Sequence, residues 1–292
     1  MPFLNINQQI SIWFMDEGLR NAPPILLVPG LTCDLHDWSW QVKFLLELGF
    51  RVVSFDIRGQ GRSSAPAPTP GITSWPGPNA DPSIIDYFPE TRTYDIIALL
   101  EHLSITSTIV MSHSQGSMES YYLATVRPDL VRALVSLDPI HRFDHAFRGA
   151  NVSYFNLPSD TISKMITYFE WSYSEGNPEW QKTWHKRRAR EMDEQVMYAM
   201  SWGGWGGMNC LGRKEVAISQ FSGKLKCPRL TFGSHEDAVA VDRHDIAKGS
   251  ELDECVVIDG NGHWFHQLAS EKFNDILKAW LGKIGALPVE KE

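Results

Sequence analysis

The sequence predicts an α/β protein, a mostly parallel, doubly wound sheet with an inserted helical cap. Three observations predict it. Short apolar runs of β type alternate with stretches whose apolar residues recur at helical spacing, the pattern of parallel strands joined by crossover helices. One run, Thr108-Ile109-Val110-Met111, passes through a sharp turn centred on Ser114 into a helical stretch, Ser117 to Val126. From Pro139 to about Ser222 the helical pattern continues without a strand, so that segment reads as an insertion.

The elements follow in order. Ile10 to Met15 alternates like an edge strand, and Asn21-Ala22-Pro23-Pro24 is a turn. Ile25-Leu26-Leu27-Val28 is a short buried strand ending at Pro29-Gly30. Trp38, Val42, Leu45 and Leu46 share a helix face, and Gly49 stops that helix. Arg51-Val52-Val53-Ser54-Phe55 is the next strand. Ala65 to Glu90 holds six prolines between positions 66 and 82 and reads as a long polyproline-like loop. Tyr94 to Leu103 is helical, and the strand before Ser114 follows. Ala133 to Leu137, Leu230-Thr231-Phe232 and Cys255-Val256-Val257-Ile258 are further strands. Phe273, Ile276, Leu277, Trp280 and Leu281 line a closing amphipathic helix. The division expected is core over 1–138, cap over 139–222 and core again over 223–292, with no internal repeats.

At 292 residues and 43% hydrophobic, the chain is long and apolar enough for one large core. A net charge of −8 argues against a nucleic-acid partner. The basic cluster Lys182 to Arg190 lies among Glu170, Glu175, Glu179, Glu191, Asp193 and Glu194, and reads as a solvated helix face. Cys33, Cys210, Cys227 and Cys255 form no C-x-x-C pair, so neither a disulfide framework nor a zinc ribbon is expected. The start of the chain lacks a charged and apolar leader, and no run approaches the roughly 18 apolar residues of a membrane span. A cytoplasmic protein without cofactor or metal, acting on a small molecule, is the expectation; the oligomeric state stays open.

Ser112-His113-Ser114-Gln115-Gly116 is the segment richest in chemistry. Strand, sharp turn with a central Ser, then helix is the context of a nucleophile elbow, which exposes a hydroxyl above the carboxyl edge of the sheet. The N–H of Gln115, at the helix N-terminus, would face a developing oxyanion. The usual first Gly is here Ser112, a small residue that still fits a crowded turn.

Three more signals stand in the order that an α/β-hydrolase-fold enzyme needs, and the chain resembles that superfamily over nearly its whole length. Pro29-Gly30-Leu31-Thr32 sits where the family carries its oxyanion loop, with Pro29 in place of a frequent His; the resemblance makes the Leu31 N–H the second oxyanion donor. Asp56-Ile57-Arg58-Gly59-Gln60-Gly61-Arg62-Ser63 is similar to the family's D-x-R-G-x-G-x-S turn, with a structural Arg. Gly260-Asn261-Gly262-His263 follows the last strand, where a His returns to the Ser as general base.

The resemblance leaves the acid open. Gly233-Ser234-His235-Glu236-Asp237-Ala238-Val239 resembles the family's G-x-x-D-x-V turn with one residue added, so Asp237 is the better match and Glu236 the one at stricter spacing. The rival is Asp138, at the end of the strand after the elbow helix. His113 and Gln115 flank the Ser, and either side chain is a candidate for the pocket. Asp138, His141 and His145 read as polar packing at a cap hinge rather than as a metal site, since no H-E-x-x-H pattern accompanies them. Gly203-Gly204-Trp205-Gly206-Gly207 lacks the Lys-Ser/Thr of a phosphate loop.

Five of the eleven Trp, at 171, 180, 184, 202 and 205, lie in the cap. They point to a hydrophobic, aromatic or polyketide-like substrate, with Trp38, Trp171, Trp202 and His113 as the expected binding residues. A narrower resemblance is to the cofactor-free 2,4-dioxygenases of 3-hydroxy-4-quinolones. It rests on the elbow, on Pro29-Gly30, on the place of Asp138, and on Phe169-Glu170-Trp171, Glu191-Met192 and Trp202-Gly203. It implies a His–Asp base that deprotonates the substrate while the Ser orients it. The turn at residues 233–237, the Pro-rich insertion and Gln115 in place of a frequent His depart from that group. Two readings follow: a serine hydrolase of an ester, lactone or activated C–C bond, or a cofactor-independent dioxygenase. A lyase, an isomerase or a non-catalytic receptor on the same fold is a third class.

Overall fold

The computed structural model describes residues 2–142 and 159–288. Eight strands form one sheet: β1 (Phe3–Asn5), β2 (Ser11–Glu17), β3 (Pro24–Val28), β4 (Arg51–Phe55), β5 (Thr108–His113), β6 (Val131–Leu137), β7 (Arg229–Gly233) and β8 (Glu254–Val257). Their order is β1-β2-β4-β3-β5-β6-β7-β8. The β1–β2 and β2–β4 pairs are antiparallel, and every other pair is parallel. β3, β4 and β5 are apolar on both faces because helices cover both.

Register places the site. His113 pairs with Leu137 across β5 and β6, so the next residues, Ser114 and Asp138, leave the sheet side by side. Leu137 pairs with Phe232, and Phe232 with Val256, which brings the segments after β7 and β8 to the same carboxyl edge.

Helices α1 (Ser39–Glu47), α2 (Pro89–His102) and α3 (Gly116–Val126) link the first strands. A 3-10 turn, Leu35–Trp38, precedes α1, with the Asp34 side chain accepting from the His36 N–H as its cap. Between β6 and β7 the described elements are all helical: α4 (Thr161–Ser172), α5 (Glu179–Glu191), α6 (Glu194–Ser201), a π-turn at Trp202–Gly206 and α7 (Lys214–Phe221). Short helices α8 (Glu236–Ala240) and α9 (Phe265–Leu268) and the closing α10 (Ser270–Lys283) complete the chain. One core, with Ile96, Leu100, Met118 and Tyr121, fills the face under α2, α3 and the insertion. The other, with Trp38, Leu45, Phe273 and Trp280, fills the face under α1 and α10.

Four details differ from the sequence reading. β1 is an added edge strand, three residues long and too short to leave a pattern. Helix α2 starts at Pro89, five residues before the expected Tyr94, because Pro suits a first helical turn. The Pro-rich loop is closed on itself: Thr69 N–H donates to Ile85 O at 2.8 Å and Tyr87 Oη–H to Pro66 O at 2.5 Å. Helix α7 lies within the expected cap, yet Phe221 packs edge-on to Tyr121 of α3 at 5.5 Å.

The Arg58 expectation is met in detail. Its Nε and Nη2 donate to the two oxygens of Asp95, both at 2.6 Å, and Nη1 donates to Asp86 O at 3.3 Å. The turn after β4 is thereby tied to α2 and to the end of the Pro-rich loop.

Candidate active site

Ser114 sits at φ 54°, the left-handed conformation that a strand-to-helix elbow forces on its central residue. Its N–H donates to Leu137 O at 2.8 Å, which locks the turn to the end of β6. The turn is crowded. A Cβ on Gly30 would lie 3.0 Å from Ser114 Cβ, and one on Gly116 would lie 2.7 Å from Pro29 O. Gly30 therefore lets the loop after β3 close against the elbow.

That loop carries Leu31. Among the described residues, neither the Leu31 N–H nor the Gln115 N–H donates to a protein acceptor. Thr32, at φ 64°, is held in its left-handed conformation by Gln60. The Gln60 Oε1 accepts from the Thr32 N–H at 2.5 Å, and its Nε2 donates to Gly30 O at 3.0 Å and Cys33 O at 3.1 Å. Gln60 is the variable residue of the glycine turn after β4, and its position in that motif is the only trace of this clamp in the sequence.

His263 joins Asp138. The His263 Nδ1–H donates to Asp138 Oδ2, so this ring's Nε2 carries the free lone pair. Asp138 Oδ1 accepts from the Ser234 N–H at 2.9 Å and the Ser234 hydroxyl at 3.0 Å, and Arg142 Nη1 lies 3.9 Å away. Burial pushes the Asp138 carboxyl up, but His263, Arg142 and the Ser234 N–H outweigh it and hold the group well below the usual carboxylate range. Burial lowers His263 below the ordinary imidazole value, against the pull of Asp138, which keeps the ring neutral near pH 7.

Asp237, the closer match to the family turn, lies exposed in the first turn of α8. The turn after β7 performs a different task here. Ser234 aims its N–H and hydroxyl at Asp138, and the chain then enters a helix that carries Glu236 and Asp237 outward. A single inserted residue in a turn is enough to rotate the following side chain away.

Both neighbours of Ser114 turn inward, away from the cleft. His113 is fully buried, and its Nε2–H donates to the backbone O of His263 at 3.0 Å. The Gln115 amide oxygen, in the orientation that satisfies its neighbours, accepts from Arg92 Nη1 and Nη2 at 3.1 and 2.8 Å. The substrate-binding expectation for His113 is corrected: its ring supports the His263 loop from below. Trp38 is corrected likewise, since it is fully buried and packs on His266 at 5.2 Å between ring centroids.

Behind His113 lies a buried polar cluster that sequence reasoning missed. Asp37 Oδ1 accepts from Arg188 Nη2 at 3.0 Å and from Gln267 Nε2 at 2.8 Å. His113 Nδ1 and His266 Nε2 each lie 3.4 Å from Asp37 Oδ2. Burial would raise the Asp37 carboxyl, but Arg188, His113 and His266 hold it well below the usual range. Arg188 belongs to α5 and is 5% exposed, so the basic stretch expected to be wholly solvated sends one cation into the core. Cys33, Asp37 and His113 offer ligand atoms within 4.8 Å of one another. The Arg188 guanidinium already occupies the flank of Asp37, and burial and Asp37 push the Cys33 thiol up; this donor set is a poor cradle for a cation.

His141 turns away from Asp138: its Nε2 pairs with Asp242 Oδ2 at 2.9 Å, and Tyr121 donates its hydroxyl to the other oxygen. His145 lies outside the described residues. Beside His263 and Asp138 opens a cleft of about 730 Å³, walled on the cap side by Tyr168, Trp171 and Tyr173. Trp171 lines this cleft. Trp202 does not, because its indole N–H donates to Thr73 O at 3.0 Å and its ring borders a separate groove with the Pro-rich loop.

A family model described as alpha/beta hydrolase fold matches residues 23–269. The chain is 30% identical over 141 residues to a bifunctional esterase/perhydrolase of Acinetobacter calcoaceticus, 48% of this chain and 45% of that protein. It is 31% identical over 128 residues to an epoxide hydrolase of Caballeronia sordidicola, 44% of this chain and 34% of that protein. The chain thus spans under half the length of these curated relatives. Among solved structures, an enol-lactonase from Burkholderia xenovorans LB400 superposes with a TM-score of 0.73 at 16% identity, covering 96% of this chain and 100% of that one. An esterase from Thermogutta terrifontis superposes with a TM-score of 0.75 at 18% identity, with 97% of both chains covered. With the family model spanning the elbow, the loop after β3 and the His263 segment alike, the chain belongs to the alpha/beta hydrolase fold family.

Proposed function

We propose that the protein is a serine hydrolase that cleaves an ester, a lactone or an activated C–C bond in a hydrophobic small molecule. The observation that carries the reading is a His263 whose Nδ1–H is held by Asp138, which leaves the sheet beside the left-handed Ser114 of the elbow. In this reading the Ser114 Oγ attacks the carbonyl carbon, and its proton passes to His263 Nε2. The N–H groups of Leu31 and Gln115 receive the oxyanion. His263 then protonates the leaving group, and water repeats the sequence on the acyl-enzyme. Asp138 fixes the tautomer and stabilises the imidazolium. Tyr168, Trp171 and Tyr173 supply the apolar wall that favours a hydrophobic substrate.

The place of Asp138 also favours a second reading, cofactor-independent oxygenation, since the resembling dioxygenases carry their acid after the same strand. There His263 removes a proton from an enol-type substrate, and the anion reacts with dioxygen.

One set of variants tests both. A fluorophosphonate probe labels Ser114 in the wild type and not in Ser114→Ala, and ester cleavage falls by about 10⁴- to 10⁶-fold in Ser114→Ala and His263→Ala. Oxygen uptake with a 3-hydroxy-4-quinolone that survives Ser114→Ala and is lost in His263→Ala establishes the second reading and overturns the first.

A further inference from the structure

A second cavity, of about 760 Å³, lies between the Pro-rich loop, the first turn of α2, α3 and residues 207–211. It shares no lining residue with the cleft at His263. Its walls carry three aromatic rings, Trp75, Phe88 and Tyr122, and a single carboxylate among the described lining residues, Glu90. The rings are held in place. Trp75 stands edge-on to Tyr122 at 5.9 Å, and its indole N–H donates to Thr91 Oγ1 at 3.1 Å.

Glu90 is 8% exposed, and its Oε2 has no hydrogen-bond partner among the described residues. The neighbouring cations are already engaged. Arg92 pairs with Glu119 at 2.7 Å and Arg58 with Asp95 at 2.6 Å. Two guanidiniums thus face four carboxylates: Asp86, Glu90, Asp95 and Glu119. A buried carboxylate oxygen left without a donor is costly. That oxygen is itself closed off from the cavity, so a cation there offsets the Glu90 charge through space rather than by direct ligation. A bare metal ion would want several oxygen ligands, whereas three aromatic rings and one carboxylate suit an alkylammonium group.

We propose that this cavity is a second, non-catalytic binding site for an organic ammonium, with Glu90 as counter-ion and Trp75, Phe88 and Tyr122 as aromatic walls. Burial raises Glu90 to about 7, with its own backbone N–H and Arg92 opposing and Glu119 and Asp86 assisting, so the site is fully charged only above neutral pH. The Arg92 guanidinium also touches Gln115, which links the site to the residue after Ser114.

The test is calorimetric titration of the full chain at about pH 8, above the value of about 7 for Glu90. The probes are choline and its neutral isostere, 3,3-dimethylbutan-1-ol. Choline binds at least about tenfold more tightly than the isostere. Glu90→Gln removes that preference and leaves the isostere unchanged. Trp75→Leu, a change in a half-buried loop, lowers choline affinity and narrows the preference without relying on Glu90→Gln folding. Equal binding of the two probes, binding of neither, or a preference that survives Glu90→Gln overturns the proposal. Fluorophosphonate labelling of the same variants reports on Ser114 separately, so the failure of one reading does not count against the other.

Discussion

Asp138 and Asp237 both border the cleft, but their surroundings differ in kind. Asp138 is buried and takes donors from His263 and Ser234; Asp237 is solvated in the first turn of a short helix. Removing the negative charge of Asp138 leaves His263 free to adopt the wrong tautomer. Asp138→Asn therefore lowers kcat by about 10⁴-fold, whereas Asp237→Asn stays within a few-fold. Steady-state assays on the two variants check this, and a larger loss in Asp237→Asn would reverse the assignment. Ser234→Ala sits between them, since it removes one hydroxyl and spares the N–H. Ser114 and His263 were legible in the sequence because each lies inside a short motif with a fixed place relative to a strand. The choice between Asp138 and Asp237 was not, because it depends on which turn points its N–H groups inward. Gln60 escaped notice for the same reason: the motif shows where the residue sits, and only the fold shows which carbonyls it meets.

At the scale of elements, the cap and the core meet at the His263 loop from both sides. The His263 N–H donates to Ser172 O at the end of α4 at 2.9 Å, and its carbonyl accepts from His113 below. Gly262, at φ 63°, approaches so closely that a Cβ would lie 2.7 Å from the same Ser172 O. Deeper in, Arg188 on α5 meets Asp37 ahead of α1, and Gln181 donates to Gln267 at 2.8 Å. The position of His263 thus depends on the cap being seated. Breaking one partner of a buried pair strands the other charge. Arg188→Met therefore destabilises the protein by about 3–5 kcal/mol in denaturant titrations. The double variant Arg188→Met with Asp37→Leu recovers much of that loss, since it removes both charges. Additive losses would mean that the pair is not coupled. The cap's helical character was readable from periodicity. Its polar anchor was not, because one buried Arg in a run of basic residues has the same sequence signature as a solvated one.

For the whole molecule, buried titratable groups set a pH profile. Burial lowers His185 to about 2 and His266 to about 4, and it lowers His263 as well. Burial raises Glu90 and Glu119 to about 7. As pH falls below about 6.5, unfolding lets these imidazoles take up protons, while Glu90, Glu119 and the likewise raised Asp56 and Asp95 release them. The imidazoles make stability fall as pH falls, and the raised carboxyls oppose them. Below about pH 4.5 the released carboxyls also stay protonated in the unfolded chain, so their opposition ends. Asp37 and Asp138, ionised in the fold, then add their own uptake. Denaturant midpoints of the wild type and of Glu90→Gln, measured across this range, check that opposition. Glu90→Gln removes one opposing release, so between about pH 6.5 and 4.5 its stability falls more steeply on acidification than that of the wild type, by up to about 1.4 kcal/mol per unit. Because the same imidazole depression acts on His263, the acid limb of catalysis falls below the ordinary value of about 6.5. A Glu90→Gln slope equal to that of the wild type would mean that Glu90 is ionised in the native state.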